Sequence, residues 1–182
     1  MASFSFSIPL FLAILLFLAL EVSTATTTNT NEKETHLHFY LQERTKFPKS
    51  TVFKVAPKST NIYNKSFNFG DIFVFDDLLT EGHDPKSRHL GRAQGTTTIT
   101  SLDGFIGFNA ISLVFTNLHP WTGSSLTLIG PFSFKDETGH LHVVGGTGRF
   151  QSARGYVVLT GLSSYDPNIG TYGLEVVVFN NN

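Results

Sequence analysis

Glu43 is the residue whose type and position most favour chemistry inside this protein. Residues 37–43 read LHFYLQE, and alternation along a strand would place Leu37, Phe39, Leu41 and Glu43 on one face. A carboxyl group on an apolar face loses hydration, which raises its pKa unless a cation pairs with it. The sequence therefore makes Glu43 a candidate interior acid. The alternative is a solvent-exposed residue just beyond the strand end.

Residues 143–155 read VVGGTGRFQSARG, a glycine-rich segment of the kind that binds phosphates in other proteins. The dinucleotide-binding pattern GxGxxG would need a third glycine at position 151, where this chain has Gln151. The P-loop pattern fails too, since no Gly-Lys-Ser/Thr triplet follows, and the next residues, GYVVLTGL, are typical of a strand. The glycines instead predict a tight turn between strands with close backbone approach.

Two His-x-His pairs could ligate a metal, because residues i and i+2 share one face of a strand. Four imidazoles would suit zinc or copper and would make the protein a cupin-like metalloenzyme. The first pair lies opposite the apolar face of residues 37–43, which favours surface histidines and no metal site. The pairs are His36 with His38 and His140 with His142.

Short strands must position these side chains, because no stretch of useful length after residue 25 has helical periodicity. Runs of β-branched and aromatic residues alternate with Gly, Pro, Asn and Asp. This spacing predicts an all-β barrel or sandwich, whose interior the 18 phenylalanines would fill or line. The predicted strands are 37–41, 52–56, 71–77, 92–100, 105–115, 125–134, 141–144, 154–160 and 172–179.

The 182 residues divide into a leader and one domain. Residues 8–20 form an apolar run too short to span a bilayer, and small residues follow at 23–25, so we predict a secretory signal peptide over 1–25. Residues 26–34, TTTNTNEKE, predict a flexible polar segment, and 35–182 a single folded domain. Asn64 begins the chain's one Asn-x-Ser/Thr sequon and is a candidate glycosylation site in a secreted protein.

Composition argues against several classes of function. The chain has no cysteine, which removes thiolate metal sites, iron–sulfur clusters and a cysteine nucleophile. A nucleic-acid partner would want a basic face, and the formal net charge is −1. The same balance gives no general attraction to an anionic membrane, so we expect neither nucleic acid nor membrane as a partner.

Three blocks of the sequence together resemble the plant dirigent family. Residues 37–43 are similar to its opening strand, and 143–156, VVGGTGRFQSARGY, to its C-terminal signature. Residues 69–95, FGDIFVFDDLLTEGHDPKSRHLGRAQG, resemble its central block. The blocks fall in family order and cover most of residues 36–160. The resemblance implies an eight-stranded antiparallel β-barrel with a central cavity over residues 35–182, usually assembled as a trimer.

The resemblance also implies a function and its partners. Dirigent proteins orient phenoxy radicals, typically from coniferyl alcohol, so that they couple with one regio- and stereochemistry, and a separate laccase or peroxidase makes the radicals. Some relatives instead guide ring closure or dehydration of quinone methides. We therefore expect an extracellular protein of the plant cell wall that needs no cofactor and oxidises nothing itself. A non-catalytic barrel of lipocalin type, carrying an apolar ligand, is the alternative.

The resemblance assigns roles to particular residues. Glu43 takes the position of a functional aspartate and Arg154 that of a family arginine, so that both would face one cavity as catalytic residues. Arg154 could instead form a structural ion pair with one of two neighbouring aspartates, Asp76 or Asp77. The candidate substrate-binding residues are Asp76, Asp77, Arg92 and Arg149. For Asp76 and Asp77 the alternative is a purely turn-forming role in a tight loop at the barrel rim.

Two departures from the family pattern bear on the product. Members that form the lignan pinoresinol tend to carry an acidic residue after the Gly-Gly-Thr-Gly loop, where this chain has Arg149. They also tend to carry aromatic residues after Ala-Gln-Gly, where this chain has Thr96, Thr97 and Thr98. We therefore expect a phenolic substrate or product other than that of the pinoresinol-forming members. Arg149 could also pair with Glu43 and lower its pKa.

Overall fold

The computed structural model describes residues 32–55 and 67–181. The predicted signal peptide at 1–25 and the candidate glycosylation site Asn64 lie outside the described residues, so both stay predictions. No helix within the described ranges is long and apolar enough to cross a membrane. The described residues form nine strands: β1 (Glu32–Arg44), β2 (Val52–Lys54), β3 (Ile72–Thr80), β4 (His89–Ile99), β5 (Ile106–Phe115), β6 (Ser125–Ser133), β7 (Thr138–Thr147), β8 (Arg154–Leu162) and β9 (Ile169–Asn181).

Antiparallel pairing closes these strands into a barrel. The order around the sheet is β1-β9-β8-β7-β6-β5-β4-β3, and β1 pairs with β3 to complete the circle. The three-residue β2 pairs with residues 73–75 of β3, further along the edge that β1 occupies at 78–80. β2 thus continues the line of β1 after the chain makes an excursion at residues 45–51. The predicted all-β class and eight-stranded antiparallel barrel are confirmed.

Alternation along each strand separates the barrel interior from its outer surface. In β5, every second residue from Gly107 to Phe115 is buried, and the intervening side chains are exposed or half-buried. Aromatic rings fill part of the interior: Phe39 and Phe150 each contact Phe115, with ring centroids 5.7 and 5.8 Å apart. Trp121 stacks on Phe150 at 6.2 Å. Further along the strands the interior is not filled and forms a cavity.

The glycine-rich segment is a turn from β7 to β8, as the sequence predicts, and a short 3-10 helix, Gly148–Phe150, lies within it. A Cβ atom at Gly146 would lie 2.3 Å from the carbonyl oxygen of Ser125, and one at Gly155 would lie 1.9 Å from that of Val177. Gly155 also has a φ of +154°, which side chains rarely adopt. Gly146 and Gly155 are therefore required by close approach of neighbouring strands.

The predicted flexible segment at 26–34 is wrong for its last three residues. Residues 32–34 begin β1 and pair with residues 179–181 of β9. Hydrogen bonds of the sheet satisfy this backbone, while Lys33 and Glu34 are exposed. The polar composition here belongs to the exposed or half-buried first residues of a strand, so it was a poor guide to disorder.

Candidate functional site

The cavity inside the barrel has a volume of about 530 Å³. This volume falls within the range of small-molecule sites, which is about 300–1,000 Å³. The wall is mostly aliphatic and aromatic, so it suits a flat apolar ligand, and polar groups interrupt it at a few points. The polar lining residues are Glu43, Thr45, Lys54, Asp77, Thr97, Asn109 and Tyr172.

Glu43 and Asp77 meet where β1 separates from β3. The register of this strand pair runs Tyr40 to Thr80, Leu41 to Leu79 and Gln42 to Leu78, so its next step would place Glu43 opposite Asp77. Beyond this point β1 no longer pairs with β3, and after Arg44 the chain makes the excursion at residues 45–51. The sheet therefore opens at the position where two carboxyl groups line the cavity side by side.

Thr51 fixes the Asp77 carboxyl group. Its hydroxyl donates a short hydrogen bond to Asp77 Oδ1 and accepts one from the Arg44 backbone N–H at 2.8 Å. The Thr51 carbonyl accepts from the N–H of Asp76 at 2.9 Å, which ties the returning chain to β3. Where β1 no longer pairs with β3, Thr51 at the end of the excursion thus hydrogen-bonds to β3 in its place. The same residue orients the carboxyl group of Asp77.

Both carboxyl groups have raised pKa values. Desolvation raises the pKa of Glu43 to about 7, because the surface that this residue retains faces the cavity. Desolvation and then repulsion from Glu43 raise the pKa of Asp77 to about 8, against the opposing hydrogen bond from Thr51. The charge of Glu43 and then burial raise the pKa of Tyr172. Near neutral pH this part of the cavity therefore holds protons that it can donate.

Arg154 does not reach the cavity, and the expectation that it faces one cavity with Glu43 is wrong. Val157 and Leu159 of β8 point inward, so alternation turns Arg154 outward. Its side chain is 67% exposed, and its guanidinium donates to Glu32 Oε2 at 2.6 Å. Arg154 does form an ion pair, but its partner is Glu32 of β1 and neither Asp76 nor Asp77.

The remaining predicted binding residues divide between the two sides of the barrel wall. Asp76 and Asp77 both lie inside β3, and only Asp77 lines the cavity. Asp76 accepts a hydrogen bond from Arg92 Nε at 2.8 Å on the outer surface, where both side chains are exposed. Arg149 is exposed in the 3-10 helix and does not line the cavity. From the predicted set, the structure thus brings Glu43 and Asp77 together at the cavity, while Asp76 and Arg92 pair on the outer surface.

The histidine pairs lie on the outer surface. His36 accompanies Glu34, and His38 accompanies Glu175 on the neighbouring strand β9. His140 and His142 are exposed on β7. Among the described residues no group of three or more His, Cys, Asp or Glu side chains is arranged to hold a metal.

Comparison with known proteins identifies the family. The family model described as Dirigent-like protein matches residues 34–179. The chain belongs to the dirigent family. Dirigent protein 23 of Arabidopsis thaliana is 34% identical over 132 residues, which make up 72% of this chain and 69% of that protein. Dirigent protein 1 of the same plant is 37% identical over 121 residues, 66% of this chain and 65% of that protein.

Solved dirigent structures share the barrel. The structures of two pterocarpan synthase dirigent proteins match with TM-scores of 0.73 and 0.74 at 30% and 29% identity. Each match covers 82% of this chain, and 86% and 97% of the respective structures. Other dirigent relatives are much longer, since this chain spans only 37% of Dirigent protein 24 and 26% of Dirigent protein 10 from Arabidopsis thaliana.

Tyr172 and Lys54 are among the polar residues of the dirigent cavity that were not predicted from the sequence. Tyr172 shares its strand face with Leu174 and Val176, so alternation in β9 was a signal that could have found it. Lys54 shares a face with Val52, but that run is short and lysine is rarely buried without a partner. Its partner, Asp71, lies on a separate part of the chain that only the fold brings close.

Proposed function

We propose that this protein fixes the regio- and stereochemistry with which phenoxy radicals couple, the radicals being supplied by a separate laccase or peroxidase. One observation carries the proposal: an apolar cavity inside a dirigent barrel, with the carboxyl groups of Glu43 and Asp77 side by side in its wall. Apolar and aromatic walls suit flat phenols such as coniferyl alcohol, and a few placed polar groups orient them.

In this reaction the role of the protein is to position the two radicals. Each radical contributes one unpaired electron to the new bond, so the coupling step itself takes no electrons from the protein. Glu43 and Asp77 would donate hydrogen bonds to oxygens of the bound substrate, which sets the face on which each ring is attacked. Arg149 lies outside the cavity, and Thr97 lines it where pinoresinol-forming relatives tend to have aromatic residues, so we expect a product other than pinoresinol.

A second candidate function is acid-assisted quinone-methide chemistry. The specific observation in its favour is that the pKa values of Glu43 and Asp77, about 7 and about 8, leave a proton available near neutral pH. One carboxyl group would protonate a leaving benzylic hydroxyl, which departs as water. The phenolic proton would pass to water as the quinone methide forms, and the carboxylate would regain its proton from solvent. The two similar structures are those of pterocarpan synthase dirigent proteins.

Chiral product analysis tests both functions. Coniferyl alcohol and other monolignols are oxidised by a laccase with and without the protein, and the dimers are resolved on a chiral column. Radical coupling under control of the protein gives an excess of one enantiomer, whereas an apolar-ligand carrier leaves the products racemic. A parallel incubation of a phenol bearing a benzylic hydroxyl, without oxidase, detects the quinone-methide activity as loss of water or ring closure.

We also propose that the protein acts outside the cell, in the plant apoplast. The support is the predicted signal peptide at 1–25 together with the cysteine-free composition, which leaves no thiols to oxidise. A fusion of a fluorescent protein to the C-terminus of the full chain should accumulate in the cell wall space. Retention of that fusion in the cytosol would contradict the proposal.

A further inference from the structure

Lys54 is a buried cation in the wall of the cavity. Its ammonium group lies 2.6 Å from Asp71 Oδ2, and the two side chains are only 4% and 3% exposed. A lysine in such a place normally needs a partner, because burying an isolated charge is costly. Lys54 lines the cavity, whereas Asp71 stands behind it and does not.

The carboxylate of Asp71 is already well satisfied. The backbone N–H of Asn68 donates to Asp71 Oδ2 at 2.8 Å, and the Asn68 side-chain amide donates to the same atom at 3.4 Å. Although desolvation opposes ionisation, the hydrogen bonds from Lys54 and Asn68 outweigh it, so the pKa of Asp71 lies below its ordinary value. An ammonium group has three N–H donors. Among the described residues Asp71 accepts one, which leaves donors of Lys54 for a ligand in the cavity.

Two further polar side chains lie on the same ring of the barrel wall. The sheet register runs from Lys54 to Phe73, from Phe73 to Thr97 and from Thr97 to Asn109 across four neighbouring strands. The hydroxyl of Thr97 donates to Asn109 Oδ1 at 2.6 Å, which holds both side chains in place. All four residues line the cavity.

Aromatic rings enclose this group. Phe67 packs edge-on against Phe73, with centroids 5.5 Å apart, and stacks on Phe134 at 4.4 Å. The Lys54 ammonium lies 5.9 Å from the centre of the Phe73 ring. A planar ring inserted here would meet aromatic faces and an N–H donor at the same time, which is the environment that a ring oxygen requires.

The distance to the carboxyl pair suits a single small molecule. Phe73 and Asp77 point inward from the same strand and are four residues apart, which corresponds to roughly 13 Å along β3. The cavity therefore has polar groups at two separated positions: Lys54 beside the phenylalanines, and the carboxyl groups of Glu43 and Asp77 where β1 leaves β3.

We propose that Lys54, flanked by Thr97 and Asn109, is a second polar subsite that binds the ring oxygen of a planar phenol. The side chain carried by the phenol ring then extends towards Glu43 and Asp77. This inference rests on the proposed function, which it extends by naming the part of the substrate that is recognised. The subsite selects phenols with a free oxygen on the ring, and it fixes which end of the molecule enters first.

Calorimetric titration with two probes tests the subsite. The probes are coniferyl alcohol and 3-methoxycinnamyl alcohol, which differ only in the ring hydroxyl. Because a hydrogen bond to a charged group contributes substantially, the wild-type chain should bind coniferyl alcohol at least about tenfold more tightly. The variant Lys54→Met leaves a buried carboxylate unpaired and can unfold, so the double variant Lys54→Met/Asp71→Asn removes both charges together. It should melt cooperatively and bind the two probes equally.

Lys135→Met is the matched control. Lys135 also pairs with an aspartate, Asp103 at 3.5 Å, and lies over a phenylalanine ring, Phe105 at 3.8 Å, but it is 56% exposed and does not line the cavity. This variant should keep the wild-type preference. If the wild type binds both probes equally, or the folded double variant keeps its preference, the subsite is refuted and the proposed function stands. If the wild type binds neither probe, both proposals fail.

Discussion

The two acids show how far a single residue could be read from the sequence. The apolar alternation of residues 37–43 predicted that Glu43 points inward, and it does line the cavity. Asp77 was placed in the set of binding residues together with Asp76, because the run DIFVFDD does not say which of two adjacent aspartates faces inward. The structure decides this through register: Asp77 lies one step beyond the last β1–β3 pair, Gln42 with Leu78, on the side of Glu43, and Asp76 turns outward to Arg92.

The buried acids should make the protein less stable as the pH rises. The pKa values of about 7 for Glu43 and about 8 for Asp77 lie above the ordinary 4.5 and 3.8, so the folded state keeps protons that the unfolded state loses. The stability that this pair contributes is then greatest below about pH 4 and declines until the pH passes both folded values. Melting temperatures measured from pH 4 to 9 should therefore fall across this window.

The double variant Glu43→Gln/Asp77→Asn should flatten that decline, since neither side chain titrates. Asp136→Asn removes an exposed carboxylate and is the control, which should keep the wild-type slope. A double variant that loses stability with pH as steeply as the wild type would show that other groups are responsible.

The same acids should control the stereochemistry of the product, and Arg154 should not. Glu43→Gln and Asp77→Asn keep the shape of each side chain but remove the acid. General acid–base groups contribute about 10²–10⁴-fold, so the enantiomeric excess measured by chiral chromatography should collapse. Arg154→Leu alters a surface ion pair with Glu32 and should leave the excess unchanged. Folded Glu43→Gln and Asp77→Asn variants with full enantiomeric excess would exclude this role for the pair.

At the scale of the elements, the strands were predictable and their pairing was not. All nine predicted runs overlap the nine strands, because alternation and turn residues are local signals. Register is set by contacts between distant residues, so the break at which β1 leaves β3 and β2 takes over the edge had no local signal. The acid pair depends on that break, which is why it could not be assembled from the sequence.

Adjacent glycines in β7 allow a direct test of the close strand packing. A Cβ at Gly146 would meet the Ser125 carbonyl oxygen at 2.3 Å and Phe150 Cβ at 2.8 Å, whereas one at Gly145 would meet nothing within 4 Å. Gly146→Ala should therefore cost about 1–3 kcal/mol of unfolding free energy. Gly145→Ala should be neutral or stabilise by up to about 1 kcal/mol, since alanine restricts the unfolded chain. Chemical denaturation that ranks the two variants equally would contradict the close approach.

At the scale of the whole molecule, composition predicted an aromatic interior but not which part of it is packed solid and which part is an open cavity. The same residue type, phenylalanine, packs solidly around Phe115 and lines open space at Phe73 and Phe134. Whether a given phenylalanine packs in the core or lines the cavity depends on how far the inward side chains reach across the closed barrel. The sequence therefore supported a cavity through the family resemblance, and only the closed sheet locates it.

The outer wall of the barrel has an apolar region that an isolated barrel in water would not need. Val74, Ile106 and Phe108 are 42%, 41% and 43% exposed, and Phe108 pairs with the exposed Pro131 of β6. Strand order places all of them on the continuous outer face of β3 to β6. We predict that copies of the chain associate through this face, as trimers in keeping with the family resemblance.

Light scattering coupled to size exclusion measures the assembly directly. At micromolar concentration the wild type should have about three times the mass of one chain. Phe108→Asp would bury a carboxylate between subunits at a cost of several kcal/mol, so this variant should elute as a folded monomer. Leu102→Asp introduces the same charge at a residue that is 86% exposed in the turn before β5, and it should remain trimeric. A wild-type monomer, or dissociation by Leu102→Asp but not by Phe108→Asp, would contradict an interface on this face.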